Sequence, residues 1–285
     1  EDEAFYEPGV FYCKDAFEGL STLDALLDPT RRAALLDGLR HDAEREMGRG
    51  PARPDKPAGK VRSAVRPAPI ALPAGVSWGP RVVRDMPLEM VFQHLVKNEL
   101  FRLSWGAKNA HGEEWERLRA EFEQRLERMM RQARREGWLR PQAVYGYWPC
   151  QAQGDTLQVY DPTQPERTLA AFTFPRQPGG ESLCLADYFA PVEAGAPAEA
   201  GQMDVVAFQV GTVGQEATER FDRLQAAGDY SDAYYLHGLA VQTAEATAEY
   251  LHRHIRRELG LEAERGKRYS WGYPAIPDLE DHRTV

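Results

Sequence analysis

The stretch from Gly48 to Gly75, "GRGPARPDKPAGKVRSAVRPAPIALPAG", most limits what this chain can build. Proline removes backbone donors and fixes φ, while glycine adds conformational freedom, so a continuous helix or sheet strand cannot run through it. No apolar periodicity is sustained across it, and its composition is that of a semi-rigid, extended linker. The chain is therefore expected to divide into a short segment at 1–47, a linker at 48–77 and a domain at 78–285. With 285 residues, 42% of them hydrophobic, it can bury a sizeable core.

On the N-terminal side, residues 9–13, "GVFYC", read as a short apolar strand, and the helical spacing that follows breaks at Asp28-Pro29. This segment is expected to be the closing part of a domain that begins upstream. On the C-terminal side, Met86-Pro87 opens a helix directed toward Phe101. Between Glu113 and Arg135, apolar residues recur every three or four positions, from Trp115 through Phe122 and Leu126 to Ala133, which predicts an amphipathic surface helix. After Gly137 the texture changes. "AVYGYWP" and "TLQVYDP" are strands joined by a turn at "QAQGD", followed by "LAAFTFP" and "DVVAFQVG". A final helix spans about Asp232 to Gly260, with Val241, Ala244, Ala248, Leu251 and Ile255 on one stripe. Helices, then clustered strands, then a long helix predict an α+β fold, a twisted antiparallel sheet flanked by long helices.

A formal net charge of −9 gives no overall pull toward phosphate backbones or anionic lipid. Neither nucleic acid nor membrane is an expected partner, and no apolar run reaches the roughly 20 residues needed to cross a bilayer. A cytoplasmic location is the expectation. Cys13, Cys150 and Cys184 are dispersed and odd in number, so they are expected to be buried thiols and not a disulfide framework or zinc site. Phosphate-loop, dinucleotide-fold, nucleophile-elbow and His-Glu-x-x-His motifs are all absent from the sequence.

Two places can carry chemistry. The loop "RYSWGYPAIP", Arg268 to Pro277, concentrates an arginine, three aromatic rings, a glycine and two prolines, so it is a shaped loop whose rings must pack on the domain or on a flat ligand. In the last helix, "AEATAEYLHRH" sets Glu245 and Glu249 one turn apart with His252 three residues further, a polar patch on one face. Read plainly, the patch is a solvated flank paired to Arg253 or Arg256, and the loop is an arm covering the core. Read together, Arg268 offers a cation for a carboxylate, Glu245 an anion for a positive group, and the loop backbone a wall for a heterocycle. A metal site at Glu249 and His252 would need a second ligand set, and no second Glu-x-x-His is present. In "SLCLADYFAP" an exposed, turn-capping Asp187 is expected, and Trp105-Gly106 is expected at a helix end.

The order "LFRLSWG", "GYWP", "LADYFAP", "DVVAFQVGT", "YYLHGLAVQTAEATAEYLH" and "RGKRYSWGYPAIPDLED" resembles the C-terminal activation domain of cobalamin-dependent methionine synthases, from about Trp78 to Val285. "VFYCKDAFEGLSTLDALL" is similar to the end of that family's cobalamin-binding domain, and residues 1–47 are expected to be that end. The resemblance implies a reactivation module with no catalytic side chain and no metal site of its own. It implies binding of S-adenosylmethionine and docking over the cobalamin of the neighbouring domain, with a flavodoxin-like or other reductase as electron donor. It places Arg268 at the ligand carboxylate, Glu245 near its positive end, Tyr273 facing the corrin, and Ser270, Gly272 and Ala275 on the loop lining the site. A different class, a non-catalytic interaction domain that arranges the cobalamin module, is the alternative; pairing of Glu245 with Arg268 across one pocket would separate the two. Val241 and Val96 stand where family members can carry acidic residues. The Asp-x-His-x-x-Gly motif that supplies the axial histidine is absent.

Overall fold

The computed structural model describes residues 11, 13, 16–47, 63–192, 203–262 and 265–285. They fall into two compact units, Glu1–Val61 and Arg62–Val285. In the first, α1 (Ala16–Leu27) and α2 (Pro29–Met47) meet at Asp28, whose carboxylate accepts hydrogen bonds from the Thr30 amide at 2.9 Å and hydroxyl at 2.7 Å. That cap satisfies an amide at the start of α2 and explains why the helical pattern breaks where it does. The expected strand at 9–13 lies largely outside the described residues.

In the second unit the chain first forms β1 (Gly79–Val83) and α3 (Leu88–Phe92). The expected single helix toward Phe101 is interrupted. α3 ends at Gln93, Val96 leaves helical geometry at φ −86° and ψ 87°, and α4 (Lys97–Glu99) runs into a π-helical turn at Leu100–Ser104. Trp105 closes that turn, with Gly106 at φ +84° behind it, as the sequence suggests. α5 (Gly112–Glu136) follows and buries Phe122, Leu126 and Ala133, the predicted apolar face.

The sheet is built on β2 (Gln142–Gln153). β3 (Thr156–Asp161) and β4 (Gln164–Thr173) continue from it as antiparallel neighbours, and β5 (Asp204–Thr212) returns along β2 from Gln142↔Thr212 to Cys150↔Asp204. β1 and β5 pair with the same stretch of β2, so they lie on opposite edges of it. At the β1 crossing Gly146 is required, because a Cβ there would stand 2.4 Å from the carbonyl oxygen of Gly79. α6 (Gln215–Ala226) and α7 (Tyr230–Glu258) complete the unit. The sequence reading named neither β1 nor α6.

α7 crosses one sheet face. Leu251 and Ile255 pack with Tyr145 and Tyr147 of β2, while Leu236 and Leu239 join Phe101, Trp105 and Phe122 in a helical core. The buried stripe therefore differs from the expected one at its start: Val241 is 44% exposed, and Leu239, Thr243, Ala246 and Thr247 face inward. The two buried threonines return their hydroxyls to the carbonyls of Leu239 and Thr243, both at 2.7 Å, which is how polar side chains are accommodated in that interior. Cys150 and Cys184 are buried free thiols, and Cys13 is half-buried.

Asp187 corrects a sequence expectation. It is fully buried, and Arg176 grips both its oxygens, at 2.6 and 2.9 Å, while also holding Asp155 at 2.6 Å. A buried carboxylate needs such a partner, and Arg176 lies on the loop after β4, where local sequence does not advertise the pairing. Among the described residues no helix is long and apolar enough to cross a membrane.

Candidate functional site

The loop after α7 is pinned to the sheet face opposite that helix by one of its three rings. Trp271 packs on Phe172 and Phe208 with ring centroids 5.8 and 6.1 Å apart, and its indole N–H donates to Asp281 at 3.2 Å. Ile276, 5% exposed, is a second apolar anchor. Between these anchors the backbone makes a tight turn: the Gly272 amide donates to the Ile276 carbonyl and the Ile276 amide to the Tyr273 carbonyl, both at 2.9 Å. Gly272 takes φ +88°, a backbone angle that calls for glycine; the nearest atom to a Cβ there, Leu279 Cδ2 at 2.9 Å, is the end of an exposed side chain that can give way. The three aromatics were expected to pack on the domain or on a flat ligand. Trp271 packs on the domain; Tyr269 and Tyr273 are 50% and 64% exposed, and Tyr273 projects from the turn.

Arg268 begins the loop and reaches back to α7. Its Nη2 lies 3.2 Å from Glu245 Oε2, and its Nη1 donates to Ser270 Oγ at 3.4 Å. Residues 23 apart in sequence are thus brought together as a cation and an anion at the foot of the loop. The Arg268 side chain is 25% exposed and that of Glu245 57%, so the pair faces solvent. Ser270, Gly272, Tyr273 and Ala275 all lie on the same loop, with Ser270 and Ala275 half-buried.

Glu249 and His252 do not join that pair. Arg253 donates to Glu249 at 2.9 Å and His252 Nδ1 lies 3.7 Å from it, the pairing expected of an ordinary helix flank. Burial pushes the Glu249 carboxyl up, but the Arg253 bond and the nearby imidazole outweigh it and leave it below the usual carboxylate range. Burial pushes the His252 imidazole below its ordinary value; Glu249 opposes this, and Arg256 and Arg268 add to it. Among the described residues no group of three or more metal-ligating side chains converges, so Glu249 and His252 have no second ligand set. Sequence reasoning missed the Trp271–Asp281 clamp, whose one signal is that a buried indole N–H needs an acceptor.

The family model for the activation domain of vitamin B12 dependent methionine synthase matches residues 104–285. The chain belongs to this activation-domain family. Methionine synthase of Mycobacterium tuberculosis is 31% identical over 322 aligned residues, covering 98% of this chain and 27% of that protein. Methionine synthase of Mycobacterium leprae is 29% identical, covering 97% and 26%. The chain therefore spans about a quarter of the length of the curated relatives it matches. A crystal structure of the MetH reactivation domain bound to AdoHcy superposes with a TM-score of 0.62 at 24% identity, covering 77% of this chain and 71% of that one. That likeness establishes a shared fold. In this activation domain Val96 and Val241 are 50% and 44% exposed.

Proposed function

We propose that this chain binds S-adenosylmethionine at the Arg268–Glu245 pair and presents it to a cobalamin held by another domain of a methionine synthase. The observation that carries this reading is the pair itself, a cation and an anion 3.2 Å apart beside a rigid, glycine-turned loop. A zwitterionic ligand can exchange into it: its carboxylate takes the Arg268 fork, and Glu245 turns to its ammonium or sulfonium. An exposed pair of this kind is worth only about 0–1 kcal/mol, so opening it is a small obstacle to binding. The backbone of Ser270, Gly272 and Ala275 would line the remainder of the ligand. Tyr273 stands where a flat corrin could lie against it.

With both bound, S-adenosylmethionine would supply a methyl to cobalt(II), leaving AdoHcy with the electron pair of the broken sulfur–methyl bond, and a flavodoxin-like or other reductase would supply the one electron the balance requires. The side chains named here supply orientation and charge, which suits a reaction governed by positioning and in no need of a general acid or base. In the same reading residues 1–47 end the cobalamin-binding domain, 48–77 connect it to the activation domain at 78–285, and the whole works in the cytoplasm. AdoHcy, present in the solved relative, is S-adenosylmethionine without the transferred methyl.

The test is Tyr273→Ala in the intact enzyme, with two rates measured in parallel. Reductive reactivation should fall, and methyl transfer from methyltetrahydrofolate to homocysteine should be unchanged. Equal loss of both would mean that Tyr273 serves packing or domain arrangement, the interaction-domain alternative.

A further inference from the structure

Residues 63–76 fall in the stretch whose composition reads as linker, yet they are attached to the second unit at several points. Ser63 donates its hydroxyl to Asp187 Oδ2 at 2.6 Å, and the Ile70 amide donates to Asp204 Oδ1 at 3.0 Å. Both acceptors are buried, at 0% and 5% exposure, and both are held by other groups: Asp187 by Arg176, and Asp204 by the amides of Val205 at 2.9 Å and Ala190 at 3.1 Å. Ile70, Leu72 and Val76 pack half-buried against the core that contains Leu251 and Ile255 of α7. Two fixed carboxylates and an apolar seat are what an irregular segment requires to stay docked, since its own backbone makes no ladder.

This segment also touches the turn that leads into the ligand loop. Arg265 Nη2 donates to the Ala68 carbonyl at 3.2 Å, three residues before Arg268. Just after α7, the Arg256 guanidinium donates to the Glu262 carbonyl and the Leu261 amide to the Arg256 carbonyl. The Arg265 amide also donates to the Glu262 carbonyl at 3.0 Å, the same oxygen that Arg256 of α7 holds, while its guanidinium reaches Ala68, so Glu262 joins Arg265 to α7 and the Arg265 side chain joins it to residues 63–76.

We propose that residues 63–76 are a positioning strap for the ligand loop, acting through Arg265. Anchored by Asp187 and Asp204, the strap offers the Ala68 carbonyl as a fixed point, and Arg265 transmits it to the start of the loop that carries Arg268. Seating of the strap thereby sets the loop on which ligand binding depends. The loop half of this inference stands alone; its consequence for binding rests on the reading of the loop as a S-adenosylmethionine site.

The experiment compares Arg265→Ala, Arg265→Lys, Ile70→Pro and Ile70→Val in the full chain. Lysine keeps a donor for Ala68, and valine keeps the amide that proline removes. Hydrogen exchange is read at the Gly272 and Ile276 amides, with helix amides around Leu251 as the control, and AdoHcy affinity is read by calorimetry. Arg265→Ala and Ile70→Pro should speed exchange at the two loop amides and weaken AdoHcy by about three- to tenfold, the scale of one lost hydrogen bond. Arg265→Lys and Ile70→Val should restore both, with the helix control unmoved throughout. Unchanged loop exchange in Arg265→Ala, or a failure of lysine to restore it, overturns the strap. If wild-type chain binds no AdoHcy while loop exchange responds as described, the ligand reading falls and the strap stands.

Discussion

Arg268 and Glu245 show how little energy is needed to hold two side chains in a fixed relation. Their contact is solvent-facing, so it adds little stability, but it holds an otherwise mobile guanidinium where a carboxylate can meet it. The neighbouring His252 behaves differently because it is covered, with only 15% of its side chain exposed. Burial lowers its folded-state pKa, and Arg256 and Arg268 lower it further against the pull of Glu249. An unfolded chain therefore takes up this proton first. The stabilising difference is complete above the ordinary histidine value of about 6.5 and is lost progressively as pH falls through it toward the folded-state value. His94, lowered by burial and by Arg253, adds the same sign. His252→Gln should flatten the decline of unfolding stability that begins near pH ~6.5, as measured by denaturant titrations across that range. A slope identical to wild type would show that the imidazole is not protected as described.

At the level of elements, β2 and α7 do most of the placing. β2 pairs on both edges and cannot widen where β1 crosses it, so Gly146 is a packing requirement. Gly146→Ala should cost about 1–3 kcal/mol through forced separation of β1, seen as a lower denaturant midpoint; an unchanged midpoint would contradict the close approach. How legible these elements were follows from their physics. α5 and the body of α7 announce themselves through periodicity, and β2, β3, β4 and β5 through β-rich runs bounded by turn residues. β1 is a five-residue strand with two of its positions taken by Gly79 and Pro80, too short to register. The break between α3 and α4 is a backbone event at Val96 that no residue type marks. The inward turn of Thr243 and Thr247 hides because back-bonded hydroxyls look polar in sequence and behave as packing groups in place. Asp187 misled for a related reason: its partner, Arg176, is supplied by tertiary structure. Glu245 and Arg268, by contrast, were singled out in sequence by charge complementarity and by family resemblance, and the fold brings them together.

For the whole molecule, the boundary between the two compact units falls at Arg62, inside the stretch whose composition reads as linker throughout. Pro- and Ala-rich sequence signals a lack of regular structure, which is different from a lack of attachment: Ser63 and Ile70 are bound through single polar groups that composition cannot reveal. Brief treatment with a broad-specificity protease should therefore leave residues 63–76 uncut and attached to the folded product. First cleavage within 63–77 would contradict the docked segment.

The central claim concerns what the Arg268–Glu245 pair receives, and calorimetric titration of this chain with S-adenosylmethionine tests it most directly. Saturable binding at one site is the expected result for wild type. Arg268→Ala should weaken it by about 1.5–3 kcal/mol, the range for a hydrogen bond to a charged group, and Arg268→Lys should remain impaired because an ammonium cannot reproduce the planar fork. Absence of binding to wild type, or equal affinity in all three proteins, would contradict the account.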